Sequence, residues 1–238
     1  MTARARWRPS VRAWIASMKT EVAKRSRDNR ARLFNEIFKP TPETRIVDLG
    51  GGKGRHFARH FPALRNVVIA DYNADALAYA REIHGFETRL IDGSQGMDFA
   101  PGEFDIVFCS SVIEHVTGQK DDAVWRFKTD SAAFRREAVV YQAAFAAEIA
   151  RAGRGYWVQT PNRWFPVEVH SWLPFLGWMP STWQWAILQV TNSFWPRKDE
   201  APDWSLLGRR EMQRLFPDAQ ILAERWGPFV KSWIAVRA

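Results

Sequence analysis

Arg45-Ile46-Val47-Asp48-Leu49-Gly50-Gly51-Gly52-Lys53-Gly54-Arg55 decides the fold. Ile46, Val47 and Leu49 form a short apolar run that passes straight into glycines, the signature of a buried strand ending in a tight turn. Arg55-His56-Phe57-Ala58-Arg59-His60-Phe61 then reads as a helix stopped by Pro62, and the next apolar run, Asn66-Val67-Val68-Ile69-Ala70, ends at Asp71. Strand, glycine turn, helix and strand make a βαβ unit, whose right-handed crossover sets two parallel strands side by side.

The same alternation extends outward. A helix is expected over residues 74–83, strands at Thr88-Arg89-Leu90-Ile91 and Phe104-Asp105-Ile106-Val107-Phe108-Cys109, and a long Ala-rich helix over residues 131–152 closed by Gly153. Gly155-Tyr156-Trp157-Val158-Gln159-Thr160 is a further strand. The chain ends with a helix over residues 208–216 and strands over 220–226 and 231–236. This order predicts an α/β fold: a doubly wound, mainly parallel, Rossmann-like sheet with an antiparallel final strand and a Trp/Pro-rich insertion. Residues 1–40 are expected to form a basic helical cap, and residues 41–238 the main domain, with an aromatic lid or insertion over 161–204.

Ligands of open α/β sheets bind beyond the carboxyl ends of the strands, where strand order reverses, and the first turn usually lies there. Gly50, Gly52 and Gly54 occupy that turn, and glycines permit close approach of a ligand to the backbone. The spacing is G-x-G-x-G. The dinucleotide fingerprint needs glycine or alanine at Arg55, and the phosphate loop needs Ser or Thr at Gly54, so both are disfavoured.

Asp48, Gly50, Gly52 and Gly54 together resemble the first motif of the class I S-adenosylmethionine-dependent methyltransferases. The resemblance spans residues 45–116. It implies that Asp48 and the glycine backbone lie against the methionine end of S-adenosyl-L-methionine. Asp71, at the second strand tip about 20 residues beyond the glycines, would accept from the ribose hydroxyls, and Asp92, with Gly93 beside it, would take the adenine amino group. Tyr72 and Ser110, at neighbouring strand ends, complete the expected cofactor set.

Ser110-Ser111-Val112-Ile113-Glu114-His115-Val116 resembles the family's loop after strand four. His115 is a candidate base for an acceptor hydroxyl, since imidazole titrates near neutrality, or a residue packing beneath the loop. Glu114 is expected to orient the loop by accepting backbone N–H groups. In some RNA and quinone-precursor methyltransferases a related segment binds a divalent metal through two acidic residues three apart plus His. Ser111 stands at the first of those positions here, so no metal is expected unless Glu168 or His170 completes the site.

Residues 161–185 are dense in Trp and Pro, and no residue from 169 to 196 is formally charged. Pro174, Gly177 and Pro180 break the run, which excludes a simple spanning helix. Three readings follow: a lid whose aromatic walls shape an apolar acceptor pocket, with Glu168 and His170 facing the reacting atom, an interfacial surface with Trp at lipid depth, or aromatics that fill an ordinary core under an inserted helical hairpin. The predicted partner is a hydrophobic small molecule or lipid-like acceptor, methylated at oxygen.

Charge leaves the partner open. There are 34 Lys and Arg against 26 Asp and Glu, a net charge of +8, and much of the excess lies in residues 4–32. That excess suits an anionic membrane surface as well as nucleic acid, but the strand-four end, Cys109-Ser110-Ser111-Val112, lacks the Asn/Asp-Pro-Pro-aromatic pattern of base methylation. A single cysteine excludes a disulfide framework and fits a cytoplasmic setting, with peripheral contact to the inner face of a membrane as an extension.

Overall fold

Alternate residues of the central strands face opposite ways, and both directions are apolar. Val47 and Leu49 point into one buried cluster and Ile46 into another; Val107 and Cys109 oppose Ile106 and Phe108 in the same way. Such strands need cover on both faces. The computed structural model describes residues 9–91, 97–192, 195 and 202–238, the side chains of residues 9–16 excepted. In it, strands β1 (Ile46–Leu49), β2 (Val67–Asp71), β3 (Glu87–Leu90), β4 (Phe104–Ser110), β5 (Gly153–Pro161), β6 (Gln220–Trp226) and β7 (Phe229–Arg237) form one sheet in the order β3-β2-β1-β4-β5-β7-β6. The first five strands run parallel, and β7 inserts antiparallel between β5 and β6. The expected doubly wound sheet and its antiparallel close are both present.

Parallel register brings the carboxyl tips together: Leu49 pairs with Ala70 and Cys109, and Ser110 with Gln159. The chain winds outward from β1 to β3 and then returns to β4 on the other side of β1, so the switch point lies between the tips of β1 and β4.

Helices α1 (Pro9–Phe38), α2 (Arg55–His60) and α3 (Ala74–His84) supply the cover of one face. The last two turns of α1 supply its apolar contact with the sheet: Ala31 and Phe34 are buried, and Leu33, Ile37 and Phe38 pack beside them. Phe34 meets Phe57, Phe61, Phe108 and Trp157 at centroid distances of 5.3 to 6.4 Å, mostly edge-on. On the opposite face α5 (Ser131–Ala152) and α7 (Arg209–Leu215) bury Ala146, Ile149, Ala152 and Met212.

Helix α4 (Lys120–Thr129) has no counterpart in the sequence reading. It buries Ala123 and Phe127, four residues apart, and stops at Asp130, whose carboxylate accepts from the N–H groups of Ala132 and Ala133 and so caps α5. Gly153 closes α5 as expected, its N–H donating to the Ile149 carbonyl, but without a left-handed turn. Its backbone is extended at φ −107° and it is the first residue of β5, where a Cβ would come within 2.7 Å of Val107 Cγ2.

Between β5 and α7 the chain leaves the sheet at Asn162 and returns at Leu207, and these two residues bridge each other. The excursion contains a 3-10 turn, Leu176–Trp178, and α6 (Ser181–Thr191). Leu173, Leu176, Leu188, Trp204 and Leu206 form a third cluster with Ala123, Phe127 and Phe134. Part of the Trp-rich stretch is therefore ordinary core, laid over α4 and the start of α5. No helix among the described residues is long and apolar enough to cross a membrane.

Phe34→Ala should cost about 3–5 kcal/mol, because five rings close on one site that cannot collapse around a methyl group. Urea unfolding measures it, and a loss under 1 kcal/mol would show that α1 is not structurally coupled to the sheet.

Candidate active site

The glycine turn owes its glycines to different neighbours. Gly50 has φ +70°, and a Cβ there would lie inside the Val112 side chain, so this glycine lets the loop after β4 pack down on the turn. The Cβ position of Gly54 is taken by Phe86 at 2.9 Å, and that of Gly51 by Asp48 Oδ2 at 2.5 Å. Close approach of a ligand is not what these three require. Gly52 is different: at φ +53° its missing Cβ faces space bounded only by Asp71 Oδ2, 3.8 Å away. Of the three glycines expected to admit a ligand, Gly52 is the one that borders open space.

Two carboxylates flank that opening. Asp71 is buried at the β2 tip and turns back toward the glycines: its Oδ2 accepts from Gly52 N–H at 2.9 Å and its Oδ1 from Asn73 N–H at 2.9 Å. Asp48 is buried as well, and its Oδ2 has no hydrogen-bond partner. Burial, with the nearby Asp71 charge as the smaller cause, pushes the Asp48 carboxyl up to about 8. An orphaned carboxylate oxygen at the floor of a turn is suited to a cationic or N–H-bearing ligand. Tyr72 follows Asp71 and is exposed at the strand tip, with Lys120 Nζ 6.0 Å from its ring. Ser110 donates its hydroxyl to Gln159 Oε1 on β5 at 2.8 Å. Asp92 and Gly93 lie outside the described residues.

Beyond β4 the chain enters a 3-10 turn, Ile113–His115. Glu114 is fully buried; its Oε2 accepts from the Thr160 hydroxyl at 3.0 Å, and its Oε1 has no hydrogen-bond partner. Its expected task of gathering backbone N–H groups is not what the carboxylate does. The loop is held instead by Gln142 of α5, whose Nε2 donates to the carbonyls of Ile113 and Ser205, and by Ser205 N–H donating to the Glu114 carbonyl.

His115 and His170 meet edge to face with centroids 5.0 Å apart. His115 Nδ1 lies 2.7 Å from Asp203 Oδ1, and His170 Nδ1 lies 2.6 Å from Glu168 Oε1. Each imidazole is thus oriented by a carboxylate behind it. The His170 ring also stacks on Trp204 at 4.6 Å. Glu168 does not face the acceptor side as expected. Its carboxylate is buried behind His170, taking the N–H and Nδ1 of His170 and the N–H and hydroxyl of Ser171. Burial would raise this carboxyl, but the donors from His170 and Ser171 prevail and hold it below the usual carboxylate range.

Asp203 is the residue the sequence does not disclose. It comes from the returning arm of the insertion, 88 residues from His115, and its carbonyl accepts from the Thr117 hydroxyl at 2.8 Å. The insertion therefore does more than roof the sheet: its outgoing arm supplies the Glu168–His170 pair and its returning arm the partner of His115.

Residues 46–128 match the family model described as a methyltransferase domain. No curated protein matches the sequence. Among solved structures the fold is similar to the trans-methyltransferase CalH in complex with SAH, at TM-score 0.54 and 16% identity over 87% of this chain and 55% of CalH. It is also similar to the PH0226 protein of Pyrococcus horikoshii OT3, at TM-score 0.54 and 14% identity over 91% of this chain and 90% of that one. A third such structure is magnesium protoporphyrin IX methyltransferase ChlM of Synechocystis PCC 6803 with bound SAH, at 0.51 and 13% over 91% and 84%. This chain spans about half the length of CalH. The segment from β1 to α4 is thus similar to a methyltransferase domain, and the fold around it is that of these solved structures.

The raised Asp48 carboxyl makes stability depend on pH. Between its ordinary value of 3.8 and its folded value of about 8, the folded protein holds a proton that the unfolded chain releases, so this group's contribution falls as pH rises through that window. Wild-type protein should lose stability relative to Asp48→Asn with a slope of up to about 1.4 kcal/mol per pH unit. Denaturant titrations of both proteins from pH 5 to 8 test this, and parallel curves would contradict it.

Proposed function

We propose that the protein transfers a methyl group from S-adenosyl-L-methionine to a hydroxyl oxygen of a hydrophobic small molecule or lipid-linked acceptor. The observation that carries this reading is the juxtaposition, at one switch point, of the open side of Gly52, the Asp48 and Asp71 carboxylates, and the paired histidines after β4 and β5. CalH and ChlM, solved with SAH, share the fold and so support the cofactor in kind.

The residues fit that cofactor. Asp71, already aligned by Gly52 and Asn73, presents its remaining lone pairs to ribose hydroxyls. Asp48 Oδ2 suits the positive end of the methionine moiety. Exposed Tyr72 supplies an aromatic face beside the adenosine, and Ser110, with its proton given to Gln159, offers acceptor lone pairs at the β4 tip. When bound, the cofactor supplies a methyl carbon on a sulfonium, so the chain's task is alignment and exclusion of water. His115, held by Asp203, takes the acceptor proton in this reading; His170, held by Glu168, forms the second wall.

The insertion favours an apolar acceptor. Leu173, Leu176 and Trp204 line its core, while Phe175 and Trp178, 4.8 Å apart, are exposed along with Trp164 and Trp183. Exposed aromatics of this kind support a second reading, peripheral contact with an anionic membrane, to which basic α1 contributes: Lys19 Nζ lies 5.3 Å from the Trp172 ring and joins α1 to the insertion. Nucleic acid as acceptor draws no support from these aromatics.

Titration calorimetry with S-adenosylhomocysteine should show saturable binding that Asp71→Ala weakens about 10- to 100-fold, as expected for losing a charged acceptor. Unchanged affinity in a folded variant would remove Asp71 from the site. Vesicles containing phosphatidylglycerol should carry the protein on flotation, and Phe175→Ser/Trp178→Ser should remain at the bottom of the gradient. If wild-type protein fails to float, the membrane reading is wrong.

A further inference from the structure

We propose that Glu114, His115 and His170 bind a divalent transition-metal ion. Among the described residues these three each contribute one ligand atom to a group whose atoms all lie within 4.8 Å of one another. They come from separate elements: Glu114 and His115 from the 3-10 turn after β4, His170 from the insertion after β5.

Two observations support a cation rather than a self-contained polar knot. Glu114 Oε1 is buried with no hydrogen-bond partner although its sister oxygen is bonded to Thr160, so the carboxylate presents one bare oxygen to the cluster. Asp203 and Glu168 hold the Nδ1 atoms of the two imidazoles at 2.7 and 2.6 Å. A neutral histidine that donates through Nδ1 carries its lone pair on Nε2. The cluster offers a carboxylate oxygen and one nitrogen from each imidazole within 4.8 Å of one another, an arrangement that one divalent cation satisfies at once. Carboxylates behind the ligating imidazoles are also what metal sites use to fix the tautomer and orientation of histidine ligands.

The ligand set specifies the ion. Two imidazoles and one carboxylate suit Zn2+, Co2+, Fe2+ or Mn2+ and are a poor match to Mg2+ or Ca2+, which prefer oxygen. Ser111, standing where a second acidic ligand would be, has its hydroxyl donated to Gln159. Three protein ligands leave coordination positions open, the pattern of catalytic rather than structural sites.

The consequence for chemistry rests on the methyl-transfer reading. The acceptor hydroxyl coordinates an open position and its pKa falls, as for metal-bound water. The O–H proton leaves to solvent. An oxygen lone pair forms the new C–O bond while the C–S bond breaks, its electrons remaining on sulfur as the neutral thioether. His115 then acts as a ligand instead of taking the proton itself.

Co2+ added to chelator-stripped protein tests the site without any acceptor. The expected result is a visible ligand-field band that saturates at one equivalent, is displaced by Zn2+, and is lost in Glu114→Gln and His170→Ala. Asp203→Asn should retain the band with affinity weakened about 10- to 100-fold. Each variant is scored only if it binds S-adenosylhomocysteine like wild type. Absence of the band in wild-type protein that binds S-adenosylhomocysteine overturns the metal proposal and leaves methyl transfer standing with His115 as base. A full band in protein with no affinity for S-adenosylhomocysteine keeps the metal site and overturns the methyl-transfer reading.

Discussion

Val112 sits where the Cβ of any residue other than glycine at position 50 would be. This contact sets the distance between the turn after β1 and the loop after β4, and the rest of the site takes its position from it. Asp48 lies below the turn, and Glu114 and His115 begin two residues beyond Val112, so an ångström of movement at this packing point would be passed directly to the groups proposed to meet the methyl carbon. Parallel register supplies the coarse alignment of the strand tips, and the missing Cβ supplies the fine one.

The insertion completes what the sheet leaves unfinished. A loop after β4 alone would hold His115 by a single turn of 3-10 helix. Residues 162–207 clamp it from outside: Asp203 orients the imidazole, Ser205 bonds the Glu114 carbonyl, and Gln142 ties the loop and the returning arm to α5. Third-cluster packing against α4 then fixes the insertion itself. The methyl-transfer reading thus assigns acceptor recognition and positioning of the reactive groups to one segment, which would couple the choice of substrate to the competence of the site.

Much of the architecture is legible in the sequence, because period-two apolar runs, a glycine turn and terminal prolines report on local backbone and burial. The seven strands follow from such signals, as do α5 and the placement of Asp48 and Asp71 at successive tips. The signals fail where a residue's role depends on a distant partner. Asp203 looks like part of an acidic, proline-containing loop, and nothing within 80 residues of it indicates His115. Glu168 and His170 read as two reactive groups, whereas hydrogen bonding makes one the support of the other. Gly50 and Gly54 read as ligand-facing because glycine is silent about whether a ligand or a side chain fills the space it leaves. Helix α4 is missed because its buried face consists of only Ala123 and Phe127 amid charged residues.

The central claim is spatial: one crevice holds the adenosyl group on one side and the histidine pair on the other. A crystal structure of the protein soaked with S-adenosylhomocysteine tests it most directly. The account predicts ribose hydroxyls on Asp71, the homocysteine backbone over Gly52 and Asp48, and the sulfur facing Glu114, His115 and His170. Density for the ligand elsewhere, or a sulfur turned away from the histidines, would contradict it.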